Sequence, residues 1–307
     1  MTKNRKSGFI YLFMAMFLAG SSVVAGKYLV HMPIFLSQTI SLVFALIIII
    51  PIAIIKEGSL RTFRPLKRDW VLLFLQGFSG VFLFRVFLLI GLTFSSAASS
   101  GIMLSTTPAV LAILSIIFLK ERISGKIVVA IIMCVIGLLF INVTFGRERL
   151  PFDLMQLVGS LSIFISVISE ALFTIFRKKQ SFSTKPLTTT VFVMLFAFVL
   201  FLPVGLYQLH DYPFPMIRTN EWVAMIYYGV MCSALAYTCW FSGLARVKVG
   251  EAATMTGLLP VSSVLLSLII LGESVGVNQL IGMGFILIGI YVIMMKSRSK
   301  LDIAVSG

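Results

Sequence analysis

The sequence predicts an all-α membrane protein with ten transmembrane helices, arranged as two inverted five-helix repeats. Three observations lead to this prediction: an apolar composition, ten long apolar runs, and a repeat at a constant offset. Of the 307 residues, 59% are hydrophobic and 12% are charged, whereas about 25% of a typical soluble chain is charged. So few polar residues cannot cover the surface of a soluble enzyme, a disordered chain or a nucleic-acid-binding module.

Ten apolar runs are long enough to cross the hydrocarbon core of a bilayer, which takes about 20 helical residues. The first run is too long for the apolar core of a signal peptide, and no clear cleavage motif follows it, so we expect an uncleaved helix. The short segments between the runs leave no room for a soluble domain. The predicted spans are 8–30, 34–55, 70–90, 95–118, 127–144, 155–176, 188–207, 221–244, 249–270 and 276–295.

The positions of Lys and Arg predict the orientation of the spans. If the N-terminus lies in the cytoplasm, 20 of the 25 basic residues fall in cytoplasmic segments and 3 in outer loops, while Lys27 and Arg85 fall inside spans. Cytoplasmic loops of membrane proteins carry this excess. We therefore expect a multi-pass protein of the cell membrane, inner or plasma, with both termini in the cytoplasm. The net charge of +14 then faces anionic lipid headgroups and not nucleic acid.

The two halves of the chain match at a constant offset of 152 residues. Between 70–141 and 222–293, 16 of 72 positions are identical without a gap. Five spans separate each matched pair, and because five is odd, the two halves must insert in opposite orientations. Secondary transporters share this plan, with the substrate site near the midplane between the repeats. We expect the first repeat at 1–150 and the second at 151–307.

Several short motifs recur in both halves in the same order. They are Gly91-Leu-Thr-Phe-Ser-Ser-Ala-Ala-Ser-Ser, Thr107-Pro108 and Leu119-Lys-Glu121-Arg in the first half, and Gly243-Leu-Ala-Arg, Gly250-Glu-Ala-Ala, Leu259-Pro260-Val and Leu271-Gly-Glu273 in the second. In order and duplication they resemble the repeat unit of EamA-type transporters, in the drug/metabolite transporter (DMT) superfamily. The segment 20–27 is similar to the first helix of that family. We include its Ser21 and Ser22 among the predicted substrate-binding residues.

The resemblance covers nearly the whole chain. It implies a secondary active transporter that moves a small metabolite, amino acid-like or drug-like, across the cell membrane by alternating access. It implies efflux as the direction and leaves proton coupling open. The alternative is an importer or exchanger of a carboxylated or phosphorylated metabolite, which the basic residues Arg85 and Lys27 suggest.

Pro108 and Pro260 occupy equivalent positions near the middle of spans four and nine. Each proline removes one helical hydrogen bond and frees the carbonyl four residues earlier, at Leu104 or Thr256. Such a carbonyl needs a partner or a watery cavity within a membrane. We therefore predict a pair of hinges beside a central cavity, with the neighbouring Thr106, Thr107 and Thr256 as substrate-binding residues. The alternative is that Pro and Thr only pack between helices.

Glu170 is the one carboxylate well inside a predicted span. An ionisable group at such a position is a functional hypothesis by default, and a carboxyl group away from water could carry a proton. We predict that Glu170 couples transport to protons. The alternative is a structural acid that a neighbouring helix, or water from the cytoplasmic end, satisfies.

Arg85 lies deeper in its span than Lys27 does, and we predict that it binds an anionic group of the substrate. Lys27 is expected to reach the outer headgroups. The repeat partner of Arg85 is Tyr237, which with Trp240 forms an aromatic patch that predicts a substrate wall or, equally, helix packing. Arg85 and Glu170 are expected to lie about 15 Å apart along the membrane normal, too far for a salt bridge.

Glu121 and Glu273 are equivalent in the two repeats and fall at the ends of spans on opposite faces. Helix capping and a gating contact are equally compatible with these positions. The sequence leaves both roles open.

Little in the sequence supports enzyme chemistry, and we expect no enzymatic activity, cofactor or metal. The two histidines, His31 and His210, both fall at the predicted outer face. No span carries paired His or Asp at metal-ligand spacing, and no Gly-Lys-Ser/Thr phosphate loop indicates ATP. A membrane-embedded enzyme is therefore the weakest alternative. The expected partners are a small-molecule substrate and membrane lipids, without nucleic acid, and a homodimer is left open.

Overall fold

The computed structural model describes residues 3–58, 67–119, 125–142, 154–180, 185–247, 255 and 258–294. This part of the chain contains no strand, and helices occupy each of the predicted spans. Numbered by span, they are α1 (Lys3–Lys27), α2 (Ile34–Glu57), α3 (Lys67–Gly77, Phe78–Leu83 and Phe84–Phe94), α4 (Ala97–Leu104 and Thr107–Leu119), α5 (Gly125–Asn142), α6 (Leu154–Lys179), α7 (Pro186–Asp211), α8 (Thr219–Tyr227, Tyr228–Leu235 and Ala236–Leu244), α9 (Leu258–Leu266 and Ser267–Leu271) and α10 (Val277–Met294).

Seven helices in the described part are long and apolar enough to cross a membrane. Two more apolar helices, Leu258–Leu271 and Val277–Gly289, are shorter. The prediction of an all-helical membrane protein is therefore confirmed, while the count of ten spans stays a prediction.

Two equivalent caps join α2 to α7, one at each end of the pair. The Glu57 carboxylate accepts hydrogen bonds from the backbone N–H groups of Leu187 (3.0 Å) and Thr188 (2.8 Å). At the other end of the pair, the Gln208 side-chain oxygen accepts a bond from the Leu36 N–H (3.0 Å). Leu36 and Thr188 are 152 positions apart, so the offset of the sequence repeat reappears in the contacts. Each cap satisfies backbone donors that a helix start leaves without an intrahelical partner.

Close helix packing repeats in the same way. A Cβ atom on Gly91 of α3 would overlap the Ile163 side chain and lie 3.0 Å from the Gly159 carbonyl oxygen of α6. A Cβ atom on Gly243 of α8, the repeat partner of Gly91, would meet α1 in the same way, at the side chain of Leu12. Glycine at these positions lets the backbones approach. Thus α1 packs on α8 as α6 packs on α3, and residues of α1 correspond to residues of α6 at an offset of 151.

The two ends of the helix bundle differ in charge. We call the end where Glu57 caps α7, and where the Arg246 guanidinium lies 5.0 Å from the Tyr11 ring centroid, the basic end. The end where Gln208 contacts Leu36 is the opposite end. The described basic residues of the basic end include Lys56, Lys67, Arg68, Arg177, Lys178, Lys179, Lys185 and Arg246.

Helices α3 and α8 each contain a π-helical turn, which the sequence analysis did not predict. The turns span Phe78–Leu83 and Tyr228–Leu235, and they overlap when the offset of 152 is applied. A π-helical turn widens the helix by one residue and frequently lies at a functional site. Its presence in both repeats indicates a shared structural role.

Helix α4 is interrupted, as the proline motif predicts. The N–H groups of Ser105 and Thr106 donate to the carbonyls three residues earlier, each at 3.1 Å, and a second helical segment begins at Thr107. Pro108 therefore lies in the first turn of this segment, where proline costs no intrahelical bond. The Pro108 side chain lies outside the described part. Pro260 is buried in α9.

Candidate functional site

A cavity of about 210 Å³ lies between α1, α3, α4, α6, α8 and α9. It extends from Arg85, inside α3, to Lys178 and Leu244 near the basic end. Six predicted site residues line it: Ser22, Arg85, Thr107, Glu170, Tyr237 and Trp240. The structure thus brings together residues of five predicted spans around one cavity.

The Arg85 side chain is only 2% exposed and is held by neutral groups. Its Nη1 donates to the Gln38 Oε1 atom at 3.1 Å and its Nη2 to the Ser233 hydroxyl at 2.5 Å. The guanidinium also lies 4.8 Å from the centroid of the Tyr228 ring. Within the described ranges no carboxylate bonds to it. A buried charge needs compensation, so Arg85 is suited to bind an anion that enters the cavity.

Glu170 borders the same cavity from α6. Its Oε2 atom lies 3.0 Å from the hydroxyl of Thr107, which is 2.7 Å from the Leu104 carbonyl oxygen. Leu104 ends the first segment of α4, so the Thr107 hydroxyl links the interruption of this helix to the acid. No basic side chain in the part of the chain described here bonds to Glu170. Its carboxyl group therefore remains suited to a proton or a cation.

Tyr237 forms the wall between these two charged groups. Its hydroxyl donates to the carbonyl of Gly80 in the π-helical turn of α3 at 2.7 Å. Its ring packs edge-on against Phe173, with 5.8 Å between the ring centroids. Arg85, Glu170 and Tyr237 all line the cavity. Between its charged groups the cavity is therefore largely aromatic.

Other predicted site residues lie away from the cavity or outside the described part. Ser21 is buried and accepts a hydrogen bond from the Tyr227 hydroxyl at 2.8 Å. Thr106 is also buried, and its hydroxyl donates to the Met103 carbonyl at 2.8 Å. Thr256 lies outside the described residues. The structure therefore places Thr107, and not Thr106, against the cavity.

Several residues that line the cavity were not predicted from the sequence. Arg177 and Lys178 were assigned to a cytoplasmic loop because the apolar run ends at 176, but α6 continues through Lys179. The Arg177 side chain is buried, and its guanidinium lies 5.3 Å from the centroid of the Phe241 ring. The length of the run could not reveal this burial, because long basic side chains can pack along apolar surfaces. Phe173, Tyr228 and Cys232 were also missed as lining residues.

The expectation for Lys27 needs correction. Instead of extending to headgroups, its ammonium group donates to the carbonyls of Leu92 at 2.7 Å and Ser95 at 2.6 Å. Helix α3 ends there, and its last carbonyls offer a partly negative site at short range. Glu273 is a helix cap: its carboxylate accepts from the N–H groups of Ala97 and Ala98, each at 2.9 Å. Glu121 lies outside the described residues.

The comparisons with known proteins decide the family. The model of the EamA-like transporter family matches residues 6–143 and again residues 157–295. The chain belongs to the EamA-like transporter family. The two matches fall one in each half, in agreement with a two-repeat design, and the resemblance found in the sequence is confirmed.

Several proteins that are similar in sequence are named as transporters. The uncharacterized transporter YetK of Bacillus subtilis is 34% identical over 299 residues, which is 97% of this chain and 90% of YetK. An uncharacterized transporter of Clostridium kluyveri is 25% identical over 92% of both chains. A crystal structure with 18% identity covers 95% of this chain and 98% of its own, with a TM-score of 0.66, and shows the same fold. The protein is therefore a multi-pass membrane protein of a transporter family.

Proposed function

We propose that the protein is a secondary active transporter that exports a small zwitterionic metabolite by alternating access, such as an amino acid whose ammonium and carboxylate groups stand at opposite ends of an apolar chain. One observation carries the proposal: a buried cation and an acid, Arg85 and Glu170, line one cavity, and each is held by neutral groups. A carboxylate at Arg85 and an ammonium group at Glu170 would compensate both charges. The aromatic side chains between Arg85 and Glu170 suit the apolar part of such a substrate.

The size of the cavity favours an amino acid-like solute over a drug-like one. Pockets that enclose drug-sized ligands measure about 300–1,000 Å³, and this cavity measures about 210 Å³. Polar groups stand at both ends of the aromatic wall, so a substrate with charges at two positions fits better than a singly charged one.

The proposed topology has ten spans in two inverted repeats, with the basic end and both termini in the cytoplasm. The repeat-related caps of α2 and α7 and the gathering of Lys and Arg at one end support it. The cavity reaches Lys178 and Leu244 near the basic end, which supports access from the cytoplasm, the side from which an exporter loads its substrate.

Glu170 provides a physical route to proton coupling. One carboxyl group cannot hold a proton and pair with an ammonium group at the same time, so protonation and substrate binding compete. A proton that enters from outside would therefore favour substrate release, and its departure to the cytoplasm would restore the binding site. Efflux would then be driven by proton entry.

Transport by purified protein in liposomes tests this function. The substrates tested are radiolabelled amino acids. The lumen of the liposomes is made either more acidic or more alkaline than the external buffer. We expect at least one zwitterion to accumulate on the acidic side, and we expect an Arg85→Gln variant to lose this accumulation. An Arg246→Gln variant is the matched control, because Arg246 lies over Tyr11 and away from the cavity. Absence of accumulation for every amino acid would reject the zwitterion proposal.

A second candidate is an exchanger of carboxylated or phosphorylated metabolites. Arg85 lines the cavity, and its described hydrogen bonds go to the neutral side chains of Gln38 and Ser233. If this buried positive charge selects the substrate, dicarboxylates or phosphate esters will exchange across the liposome membrane and neutral zwitterions will not. A Glu170→Gln variant would then bind the anion at least as tightly as the wild type.

A further inference from the structure

The Thr107 hydroxyl lies between two acceptors, the Leu104 carbonyl oxygen at 2.7 Å and the Glu170 Oε2 atom at 3.0 Å. A threonine hydroxyl has one hydrogen, so it can donate to only one of them at a time. Within the described chain, neither the Leu104 carbonyl nor the Glu170 carboxyl group has another hydrogen-bond partner. These three oxygen atoms are therefore one hydrogen short whenever Glu170 is ionised.

The interruption of α4 explains why the Leu104 carbonyl depends on a side chain. Leu104 ends the first segment of the helix, and the second segment begins at Thr107. The last carbonyls of a helix have no intrahelical donor. The two carbonyls before Leu104 accept instead from backbone N–H groups three residues later, each at 3.1 Å. At Leu104 the Thr107 hydroxyl takes the place of such a donor.

The charge of Glu170 decides which way the Thr107 hydroxyl points. When Glu170 is protonated, its O–H group donates to the Thr107 oxygen and Thr107 donates to Leu104, so every acceptor has a donor. When Glu170 is ionised, the carboxylate attracts the Thr107 hydrogen more strongly than a carbonyl does. The Leu104 carbonyl then loses its donor, which destabilises this arrangement of the break. The hydrogen stays on the Thr107 oxygen and only turns.

We propose that Thr107 is a positioning residue that couples the charge of Glu170 to the interruption of α4. This inference rests on the proposed role of Glu170 in proton coupling. A proton or a substrate ammonium group at Glu170 supplies the missing hydrogen and stabilises the described break. An ionised, unoccupied Glu170 favours a rearranged break in which the Leu104 carbonyl reaches another donor. Binding at Glu170 thus shifts the balance between two conformations of α4, because it stabilises them unequally.

The cavity contains other ionisable groups, on three helices. The described lining residues of α1, α4 and α9 carry none. The ionisable lining residues besides Glu170 are Arg85 on α3, Arg177 and Lys178 on α6, and Tyr228, Cys232 and Tyr237 on α8. Within the described chain the Glu170 carboxyl group accepts a hydrogen bond from none of them. Thr107 is therefore the described side chain through which a hydrogen bond can transmit the charge of Glu170.

The test follows the charge of Glu170 and the geometry of α4 separately, in purified protein without substrate. Difference infrared spectroscopy records the carboxyl groups as pH is varied, and the signal that Glu170→Gln removes belongs to Glu170. Double electron–electron resonance measures the distance between spin labels at Ile117→Cys, in the second segment of α4, and Val199→Cys, in α7. Both positions are exposed, so the labels lie outside the cavity. The parent protein for labelling has its three natural cysteines changed to Ala.

In the labelled parent we expect the distance distribution and the Glu170 signal to change over the same pH range. Thr107→Val keeps the shape of the side chain but removes the hydroxyl, so Glu170 should still titrate while most of the shift in distance is lost. Thr107→Ser restores the hydroxyl and should restore the shift. Thr106→Val is the matched control, because the Thr106 hydroxyl donates to the Met103 carbonyl at 2.8 Å and does not contact Glu170. It should keep the full shift.

A shift in Thr107→Val as large as in the parent would overturn the proposal. It would also be overturned by a parent in which Glu170 does not titrate, or in which it titrates without a change in distance. Glu170→Gln covers the case in which Thr107→Val does not fold. Its amide provides N–H donors in place of the carboxyl O–H, so it should hold the low-pH distribution at every pH, and a pH-dependent distribution would contradict the coupling. If the coupling through Thr107 is found but no amino acid is transported, the role of Thr107 holds and the substrate proposal fails.

Discussion

Arg85 and Tyr237, which are equivalent in the two repeats, each bind the π-helical turn of the other repeat. Arg85 donates to the hydroxyl of Ser233 in the turn of α8, and Tyr237 donates to the carbonyl of Gly80 in the turn of α3 at 2.7 Å. The two side chains thus cross between α3 and α8 in reciprocal fashion. The Arg85 guanidinium carries a positive charge that can bind an anion in the cavity. The Tyr237 hydroxyl is neutral and already donates to the Gly80 carbonyl.

This difference predicts unequal effects of substitution. Arg85→Lys should weaken substrate binding by about tenfold or more, because a single ammonium group cannot reproduce the planar donor fork that binds Gln38 and Ser233 together. Tyr237→Phe should lower the free energy of unfolding by about 1 kcal/mol through one lost hydrogen bond and leave affinity within about threefold. Titration calorimetry and thermal unfolding measure the two effects. Equal losses of affinity in both variants would contradict the distinction.

Glu170→Gln should abolish the response of transport to a pH gradient. The amide keeps the volume of the side chain and can still accept from Thr107, but it can neither gain nor lose a proton. Substrate–substrate exchange, which needs no net proton movement, should continue with weaker affinity for the ammonium group. Measurement of uphill transport and exchange in liposomes separates the two processes. Uphill transport with unchanged pH dependence would make Glu170 a structural residue.

Pro108→Ala and Pro260→Ala should slow transport without preventing folding. Alanine restores the N–H donor and removes the steric restriction that proline imposes on the preceding turn, so it favours a continuous helix. We expect the double variant to insert normally and to transport at a reduced maximal rate, because the interruption of α4 contributes to the change between states. Fluorescence-detected size exclusion checks folding, and initial rates check transport. A double variant with the wild-type rate would show that the prolines only pack.

The glycine contacts predict equal destabilisation in the two repeats. Gly91→Ala and Gly243→Ala each place a Cβ atom against a side chain of the helix packed on them, at Ile163 or Leu12. We expect each to lower the free energy of unfolding by about 1–3 kcal/mol, the usual cost of overpacking. Gly276→Ala is the control, because a Cβ atom there meets open space. Thermal unfolding in detergent measures all three, and an unaffected Gly91→Ala or Gly243→Ala variant would contradict the repeat-related packing.

Much of the fold could be predicted from the sequence, because the hydropathy of a segment and the spacing of its glycines are properties of that segment alone. The second predicted span, 34–55, differs from Ile34–Glu57 only at its end. The π-helical turns were not accessible, since nothing in the local hydropathy of 78–83 distinguishes a π turn from an α turn. The partners of Lys27 were missed for a related reason. Its acceptors are backbone carbonyls of another helix, which have no signature in side-chain composition.

The candidate site was accessible only in part. Arg85 and Glu170 stand out because charges inside apolar runs are rare. Arg177 does not stand out, because it begins a run of basic residues that resembles any cytoplasmic loop. The contact between Thr107 and Glu170 could not be predicted, because it depends on the interruption of α4 and on how α4 and α6 pack.

The central claim, that Arg85 and Glu170 recognise the two ends of one zwitterion, is tested most directly by binding measurements on matched ligands. Titration calorimetry compares the best-bound amino acid with its amide, which lacks the carboxylate, and with its deaminated acid, which lacks the ammonium group. The account predicts that the wild type binds both analogues weakly, that Arg85→Gln no longer distinguishes the amino acid from its amide, and that Glu170→Gln no longer distinguishes it from the deaminated acid. If both variants keep the wild-type preference for the zwitterion over its analogues, the two residues do not form the binding site.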